Sequence, residues 1–391
     1  MVGCLNVAGW RKLVLLLCSS AFLAWGLQAL LRTLPSGLRP EGGVARADMA
    51  AYWTAGRLFL ERGNAYDAVA VARMEGLPAD AAGRALVMRN PPWTLPLVAP
   101  FGALPFRGAF FVWDAISLAG VLYALALLAR VYGLGLPSRR GLAPLLFVPA
   151  YLFLLTAETT WLVLLGFALF LAWEERRPAA AGAALFLASL KFNICFLFWP
   201  VFLLWALERR RRRYLWGLLA SVGGAMAAVL AWDPKVAGQY LGSLAATHVA
   251  TQRFPNLVGA VRAAVGGAWP AIVLPGAGMV WAIAHYWRRR ADWRWREQAP
   301  LLLLVSLLLA PYSFLFDELI AVVAILAAAA ALRWRRHALQ GAVFGGFLAA
   351  QALLLVLLTQ GGDNRGWAYL WTPAAWLGLY LAAVQGTRAR A

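Results

Sequence analysis

The stretch Ala179–Leu207 reads AAAGAALFLASLKFNICFLFWPVFLLWAL and carries a single charged residue, Lys191. A helix needs about 20 apolar residues to cross the ~30 Å of hydrocarbon in a bilayer. Leu13–Leu31, Ala338–Leu358 and Trp367–Val384 are apolar blocks of similar character. The 391-residue chain is 62% hydrophobic with a mean hydropathy of +0.68, whereas soluble domains average about 45–50% apolar residues. The sequence therefore predicts an all-α, polytopic integral membrane protein.

Counting apolar blocks predicts about twelve transmembrane helices in a single integral membrane domain that spans residues 1–391. The predicted crossings are Leu13–Leu31, Pro91–Phe106, Gly108–Val131, Leu142–Ala157, Thr159–Trp173, Ala179–Leu207, Tyr214–Trp232, Trp269–Trp287, Pro300–Pro311, Glu318–Leu332, Ala338–Leu358 and Trp367–Val384. An alternative makes 91–106 re-entrant and splits 179–207 into two short helices at Lys191, with the same total.

The formal net charge of +19 comes from basic clusters that alternate with the apolar blocks. The largest are Arg209–Arg213, Arg288–Arg290 and Arg333–Arg336. Cytoplasmic loops of membrane proteins are enriched in such residues, so we expect these clusters and both chain termini to lie in the cytoplasm, beneath the cell (inner) membrane. The alternative topology would also place Arg139, Arg140, Arg176 and Arg177 there. Topology signals explain the basic charge better than nucleic-acid binding does.

The first apolar block follows Arg11 and Lys12 and has no clear cleavage site after it, which favours a retained helix over a signal peptide. Residues 33–90 would then form the first extracytoplasmic loop. Within it, 48–61 reads DMAAYWTAGRLFLE. Its helical spacing of apolar residues predicts an amphipathic helix on the membrane surface with Asp48 as its N-cap.

Isolated ionisable residues near apolar segments are costly and are therefore candidate functional groups. Asp48 suits either a helix cap or a general base. Lys191 suits either a buried ion pair or a phosphate ligand. Glu158 and Asp317 fall at predicted helix ends, where charges are common, and both neighbour aromatic segments.

The outer loop 233–268 contains Arg253 and Asn256, which residue type alone assigns to an ordinary basic loop. The motif beginning at Asn90 is typical of a helix start, because prolines are tolerated in the first turn. Three cysteines and three histidines are scattered and show no metal-ligand spacing. We therefore expect no metal and no cofactor.

Several short motifs, in order, resemble those of glycosyltransferase family 87. They cover roughly residues 45–340. The matching residues are Asp48, Tyr52, Ala55, Gly56, Gly63, Tyr66 and Asp67 in the first loop, then Asn90, Pro91, Pro92, Pro100 and Pro105, then Ala181, Gly182 and Lys191, and finally Pro311, Ser313 and Asp317. The chain departs from the family pattern at Ala157-Glu158, where the family has Gly-Gln, and at Phe192-Asn193.

The resemblance implies a GT-C fold and transfer of a mannose-like hexose from a polyprenyl-phosphate sugar to a lipid or glycan acceptor outside the cytoplasm. It implies that Asp48 is the catalytic base. It further implies that Lys191, with Arg253, binds phosphate, and that Asp317 and Glu158 bind sugar hydroxyls. Tyr52 and Asn256 are the remaining candidate substrate-binding residues.

Two other interpretations remain open at this stage. A transporter or flippase of a lipid-linked sugar would often show two matched halves with polar residues through midplane helices, and the sequence shows no such match. A catalytically inactive relative that scaffolds a glycan-assembly complex is the other, and the departures at 157–158 and 192–193 leave it open.

Overall fold

The computed structural model describes residues 48–77, 85–135, 143–246, 254–359 and 366–385. The described residues form helices and turns and contain no strand, as expected for an all-α protein. The predicted first transmembrane helix, Leu13–Leu31, and both chain termini lie outside the described residues.

The described residues form a series of helices of unequal length. They are α1 Asp48–Leu60, α2 Ala68–Met74, α3 Leu95–Gly102, α4 Phe106–Val131, α5 Pro149–Thr156, α6 Thr160–Trp173, α7 Pro178–Ser189, α8 Phe198–Glu208, α9 Arg212–Trp232, α10 Val236–Ala246, α11 Leu257–Val265, α12 Pro270–Arg289, α13 Trp295–Leu309, α14 Val322–Leu332, α15 His337–Thr359 and α16 Thr372–Val384. Turns of 3-10 helix lie at Pro92–Thr94, Ala143–Leu146, Phe192–Cys195, Arg290–Asp292, Leu315–Ala321 and Gly366–Tyr369.

Four helical segments of the described residues are long and apolar enough to cross a membrane, judged by length and composition. They are α4, α9, α15 and the continuous segment Leu315–Leu332. Shorter apolar helices of 10–17 residues, α6, α7, α8 and α16, accompany them. The protein is therefore helical with several candidate membrane spans, and the total of twelve crossings stays a prediction.

The arginine-rich turns gather at one end of the helices, which we call the basic end. The Tyr214 hydroxyl donates to the Glu174 carbonyl, so the α6–α7 turn lies beside the start of α9. The Tyr132 hydroxyl donates to the Arg296 carbonyl over 3.2 Å, and this contact brings the end of α4 to the α12–α13 connection. Further contacts at this end are Arg290 with Glu208, Arg333 with the Gly133 carbonyl, and Arg335 with the Ala383 carbonyl.

The region 91–207 follows the alternative topology in its helical breaks. The predicted crossing 179–207 is divided into α7 and α8, with the interruption at Lys191. The predicted crossing 91–106 contains the 3-10 turn Pro92–Thr94 and the eight-residue helix α3, whose length of ~12 Å at 1.5 Å per residue is too short to span a bilayer. The α6–α7 turn, which carries Arg176 and Arg177, also lies at the basic end through its Glu174 contact.

The amphipathic helix predicted over 48–61 is more buried in the structure than expected, and its position at a membrane surface stays a prediction. Helix α1 forms, but it is buried on nearly every side, and Leu60 is its one exposed residue. Small residues in α1 explain this burial, and the spacing of apolar residues alone does not indicate such close packing. At Gly56, a Cβ atom would lie 2.5 Å from the Val98 carbonyl oxygen, so glycine allows α1 and α3 to touch backbone to backbone.

Candidate active site

Four separate segments bring ionisable side chains together. Asp48 begins α1, and Glu158 lies between α5 and α6. Lys191 lies between α7 and the 3-10 turn Phe192–Cys195, and Asp317 lies in the 3-10 turn before α14. We call these four residues the acidic cluster. The sequence analysis predicted each of them as a site residue, and the structure places them together. Their functional roles remain predictions.

The Lys191 ammonium lies between two carboxylates. Its Nζ is 2.5 Å from Asp317 Oδ1 and 2.9 Å from Glu158 Oε1. Nζ is also 3.3 Å from the Thr160 hydroxyl, which donates to the same Asp317 oxygen over 2.9 Å. The Phe316 ring centre lies 4.8 Å from Nζ. A buried ammonium needs such compensation, because its desolvation is expensive. These contacts favour the ion-pair interpretation of Lys191 over a free phosphate ligand.

Asp48 and Glu158 form a pair of neighbouring carboxyl groups. The Glu158 carboxylate lies near enough to Asp48 for its charge to act on the Asp48 carboxyl group. Burial raises the pKa of Asp48 well above its ordinary value, and the charges of Glu158 and Asp317 raise it further, while Lys191 opposes them. Asp48 is therefore a stronger base than an exposed aspartate once it is ionised.

Tyr52 follows Asp48 by one helical turn and reaches the same group of residues. Its hydroxyl donates to Glu158 Oε1 over 2.9 Å and lies 3.2 Å from the Thr159 hydroxyl. The predicted substrate-binding role of Tyr52 remains untested. In the structure the phenol is buried, and its contacts fix the orientation of the Glu158 carboxylate.

A left-handed residue directs Glu158 into the cluster. Helix α5 ends at Thr156, and Ala157 has φ 54°, the region that glycine favours. Glu158 then donates its N–H to the Phe153 carbonyl over 3.1 Å, which closes the helix end. The family motif has glycine at the position of Ala157. The left-handed backbone geometry there explains why glycine is suited to this position.

Asn90 connects the segment before α3 to the cluster. Its Nδ2 donates to the Leu190 carbonyl over 2.9 Å and lies 3.4 Å from the Thr159 hydroxyl. Its own carbonyl accepts from the Tyr66 hydroxyl over 3.0 Å. The motif around Asn90 was interpreted as an ordinary helix start, yet it reaches the residue that precedes Lys191. The amide side chain before two prolines was the available signal.

Asn256 lies outside the cluster. It caps α11 by accepting from Gly259 N over 2.8 Å, and its Nδ2 donates to the Ala310 carbonyl and to the Ser313 hydroxyl. Both amide hydrogens are therefore engaged, and Asn256 holds the segment that precedes Asp317. Arg253, the other residue predicted in this loop, lies outside the described residues.

The acidic cluster is recessed from the far end of the helices. Helices α6 and α7 connect it to the basic end and contain 14 and 12 residues, or about 21 and 18 Å. Helix α9 starts at the same end and contains 21 residues, or about 31 Å. Measured from the basic end, α9 therefore extends roughly 10 Å further than the helices that lead to the cluster. The cluster lies below the far end of α9, on the side away from the arginine-rich turns.

These observations define a helical protein with candidate membrane spans and a buried acidic cluster assembled from distant segments. The family model of glycosyltransferase family 87 matches residues 89–311, more than half of the chain. The chain belongs to this family, which indicates a membrane glycosyltransferase. Comparison with curated proteins and with solved structures gives no match. The match confirms the family that the sequence motifs indicated.

Proposed function

We propose that this protein transfers a hexose, mannose-like in type, from a polyprenyl-phosphate donor to a lipid or glycan acceptor at the extracytoplasmic face of the cell membrane. The observation that carries the proposal is the meeting of Asp48 with Glu158, Lys191 and Asp317. This cluster lies toward the end of the helices that is opposite the arginine-rich turns. With those turns in the cytoplasm, where basic loops are enriched, the cluster lies on the side of the outer leaflet.

The reaction requires one base and one leaving group. The acceptor hydroxyl oxygen attacks the anomeric carbon of the donor sugar and forms the new glycosidic bond. The bond from that carbon to the phosphate oxygen breaks, and polyprenyl phosphate leaves with the electron pair. Asp48 takes the hydroxyl proton as the bond forms. A single displacement of this kind inverts the configuration at the anomeric carbon.

The other cluster members suit recognition of a sugar. Asp317 Oδ2 accepts from Phe314 N over 2.8 Å, and its Oδ1 contacts Lys191, so the carboxylate is held rigidly. Glu158 is fixed likewise by Tyr52 and Thr159. Fixed carboxylates accept hydrogen bonds from sugar hydroxyls with little loss of entropy. Lys191 contacts both of them.

An apolar cavity that suits a hydrocarbon chain lies between α14, α15 and α16, and none of the four cluster residues lines it. Helices α14, α15 and α16 line it with residues such as Ala328, Phe347 and Tyr380. Trp376 lines it as well, and its indole donates to Glu318, the neighbour of Asp317, over 2.6 Å.

The direct test uses the purified full chain in lipid nanodiscs with a polyprenyl-phosphate hexose and a lipid extract as the acceptor source. We expect a glycosylated product from the wild type and a loss of at least about a hundredfold in rate for Asp48→Asn. Asp67→Asn is the matched control, because Asp67 is an exposed carboxylate of the same region that caps α2. Asparagine preserves that cap.

Two outcomes would reject the proposal. Full activity in Asp48→Asn would remove the base. Movement of labelled donor across proteoliposome membranes by the wild type, without any glycosidic product, would instead identify a transporter. The thermal stability of Asp48→Asn should equal or exceed that of the wild type, because burial opposes the charged form of this residue. A lost activity would therefore not reflect unfolding.

A further inference from the structure

The apolar cavity between α14, α15 and α16 is separate from the acidic cluster. Among the described residues that line it, only Trp376 and Tyr380 carry polar side-chain atoms, and both atoms are already engaged. The Trp376 indole donates to Glu318, and the Tyr380 hydroxyl donates to the Glu297 carbonyl over 3.4 Å. The lining therefore leaves no polar side-chain atom for a polar ligand, and the cavity suits a hydrocarbon chain.

The cavity extends along α14 toward the basic end. Its lining includes Ala324 and Leu332 of this helix, whose separation of eight positions corresponds to about 12 Å. One leaflet contributes about half of the ~30 Å hydrocarbon core of a bilayer, or ~15 Å. Helix α14 belongs to the candidate membrane span Leu315–Leu332. The cavity thus has the length and the place of an acyl chain in the leaflet next to the basic end.

Arg335 stands at the end of the cavity that faces the arginine-rich turns. It lies in the turn between α14 and α15, three positions after the lining residue Leu332. Its Nε donates to the Ala383 carbonyl over 3.3 Å, and Ala383 follows the lining residue Tyr380 by three positions on α16. Two of the helices that form the cavity therefore bring Arg335 to within roughly one helical turn of its lining.

The Arg335 guanidinium is held through Nε and lacks a partner at its other edge. Its Nη2 is buried and has no hydrogen-bond acceptor among the described residues, and none of the ion pairs in that part of the chain includes Arg335. A buried donor without an acceptor is costly, and more so when it is charged. An anionic ligand would supply the missing acceptor, and a guanidinium can bind two phosphate oxygens at once.

The surroundings of Arg335 also favour a lipid head group. Arg333 and Arg336 belong to the same turn and are exposed, and Trp334 between them is 75% exposed, as is typical of tryptophan at a membrane interface. Basic pockets between membrane helices bind the head groups of anionic lipids. A phosphate at the mouth of the cavity and a hydrocarbon chain inside it are two parts of one phospholipid.

We propose that the protein binds one anionic phospholipid of the leaflet next to the basic end, with an acyl chain in the cavity between α14, α15 and α16 and its phosphate against the Arg335 guanidinium. This site is separate from the acidic cluster, and the inference does not depend on the proposed reaction. The lipid would join α14 to α16 at the basic end, whereas the hydrogen bond from Trp376 to Glu318 joins them at the other end of the cavity.

The test measures lipid binding without any reaction. The full chain in detergent, freed of lipid, is titrated with phosphatidylglycerol, and native mass spectrometry counts the molecules bound. We expect one molecule to bind the wild type and Arg335→Gln to weaken this binding at least about tenfold, because a charge-assisted contact is lost. Arg336→Gln is the matched control, since it removes the same charge from an exposed residue of the same turn. It should bind as the wild type does.

The cavity is tested by Ala328→Leu, which fills part of it without changing the charge. Binding of phosphatidylglycerol should weaken here too. The thermal midpoint of each variant without lipid shows whether it is folded. Added phosphatidylglycerol should raise the midpoint of the wild type and of Arg336→Gln, but not that of Arg335→Gln. If Ala328→Leu does not fold, the comparison of the two arginine variants still decides the proposal.

Four results would overturn the proposal. Equal binding by Arg335→Gln and the wild type would remove the arginine from the site, and equal weakening by Arg335→Gln and Arg336→Gln would show only a general attraction of anions to the basic end. Full binding by a folded Ala328→Leu would place the acyl chain elsewhere. Binding of diacylglycerol as strong as that of phosphatidylglycerol would show that the phosphate is not recognised.

Discussion

The two ends of the helical assembly carry charge in opposite ways. At the basic end, arginines occur in runs along the sequence and are mostly exposed, as at Arg209–Arg213. At the acidic cluster, the charged residues come from separate segments without runs of like-charged arginines, and Glu158 and Asp317 are 5% and 1% exposed. Runs of charge orient a chain in a membrane, whereas solitary buried charges must find partners from elsewhere in the fold. The comparison shows that the functional candidates are the charged residues buried in otherwise apolar segments.

The largest effect should follow removal of the cluster's cation. Lys191→Met leaves Glu158 and Asp317 as buried carboxylates without their shared partner. Loss of one member of a buried ion pair costs about 3–5 kcal/mol. The thermal midpoint of the full chain in detergent should fall sharply, and the double variant Lys191→Met/Asp317→Asn should recover part of the loss, because one unpaired charge is removed.

The matched change at the basic end is Arg290→Met. Arg290 pairs with Glu208 at 3.4 Å, and both side chains are substantially exposed. Exposed pairs contribute about 0–1 kcal/mol, so the midpoint should hardly move. If the two single variants lost equal stability, the distinction between the buried and the exposed end would be wrong.

The second prediction concerns the pH dependence of transfer. Burial and the neighbouring Glu158 raise the pKa of Asp48. A base works only when ionised, so activity should fall as the pH drops through this raised pKa. The acid limb of kcat/KM should therefore lie above the ~3.9 of an unperturbed aspartate, and activity should change about tenfold per pH unit below it.

Glu158→Gln sharpens this prediction. The variant removes a negative neighbour of Asp48 while keeping a hydrogen-bonding side chain. Burial still raises the pKa of Asp48 in this variant, and Lys191 and Asp317 still act on it with opposite charges. The acid limb should therefore move toward lower pH without disappearing. A limb that stays in place would show that another group controls the profile.

The sequence predicted the members of the cluster but not how they meet. Lys191 and Glu158 could be recognised because an isolated charge in an apolar block is costly. Their contact is long-range and depends on a break in the helix at Lys191, for which apolar periodicity gives no signal. The burial of α1 was missed for a related reason: Gly56 permits close packing, and an apolar stripe reads the same whether it faces lipid or protein.

The smallest expected effect concerns the turn that aims Glu158. Ala157 has φ 54° and is fully buried. Replacing it with glycine removes a left-handed alanine, which costs about 1–2 kcal/mol. The same change loses a buried methyl group worth about 0.8 kcal/mol and adds backbone freedom to the unfolded chain. These contributions nearly cancel, so Ala157→Gly should shift the free energy of unfolding by less than about 1 kcal/mol.

The control is Ala168→Gly, in the interior of α6 at an equally buried position. This variant relieves no left-handed geometry. Its free energy of unfolding should fall by about 1.5–2 kcal/mol, because it loses the same methyl group and the helix propensity of alanine. Thermal midpoints of the two variants in one detergent compare them directly, and equal losses would show that the left-handed geometry at Ala157 carries no strain.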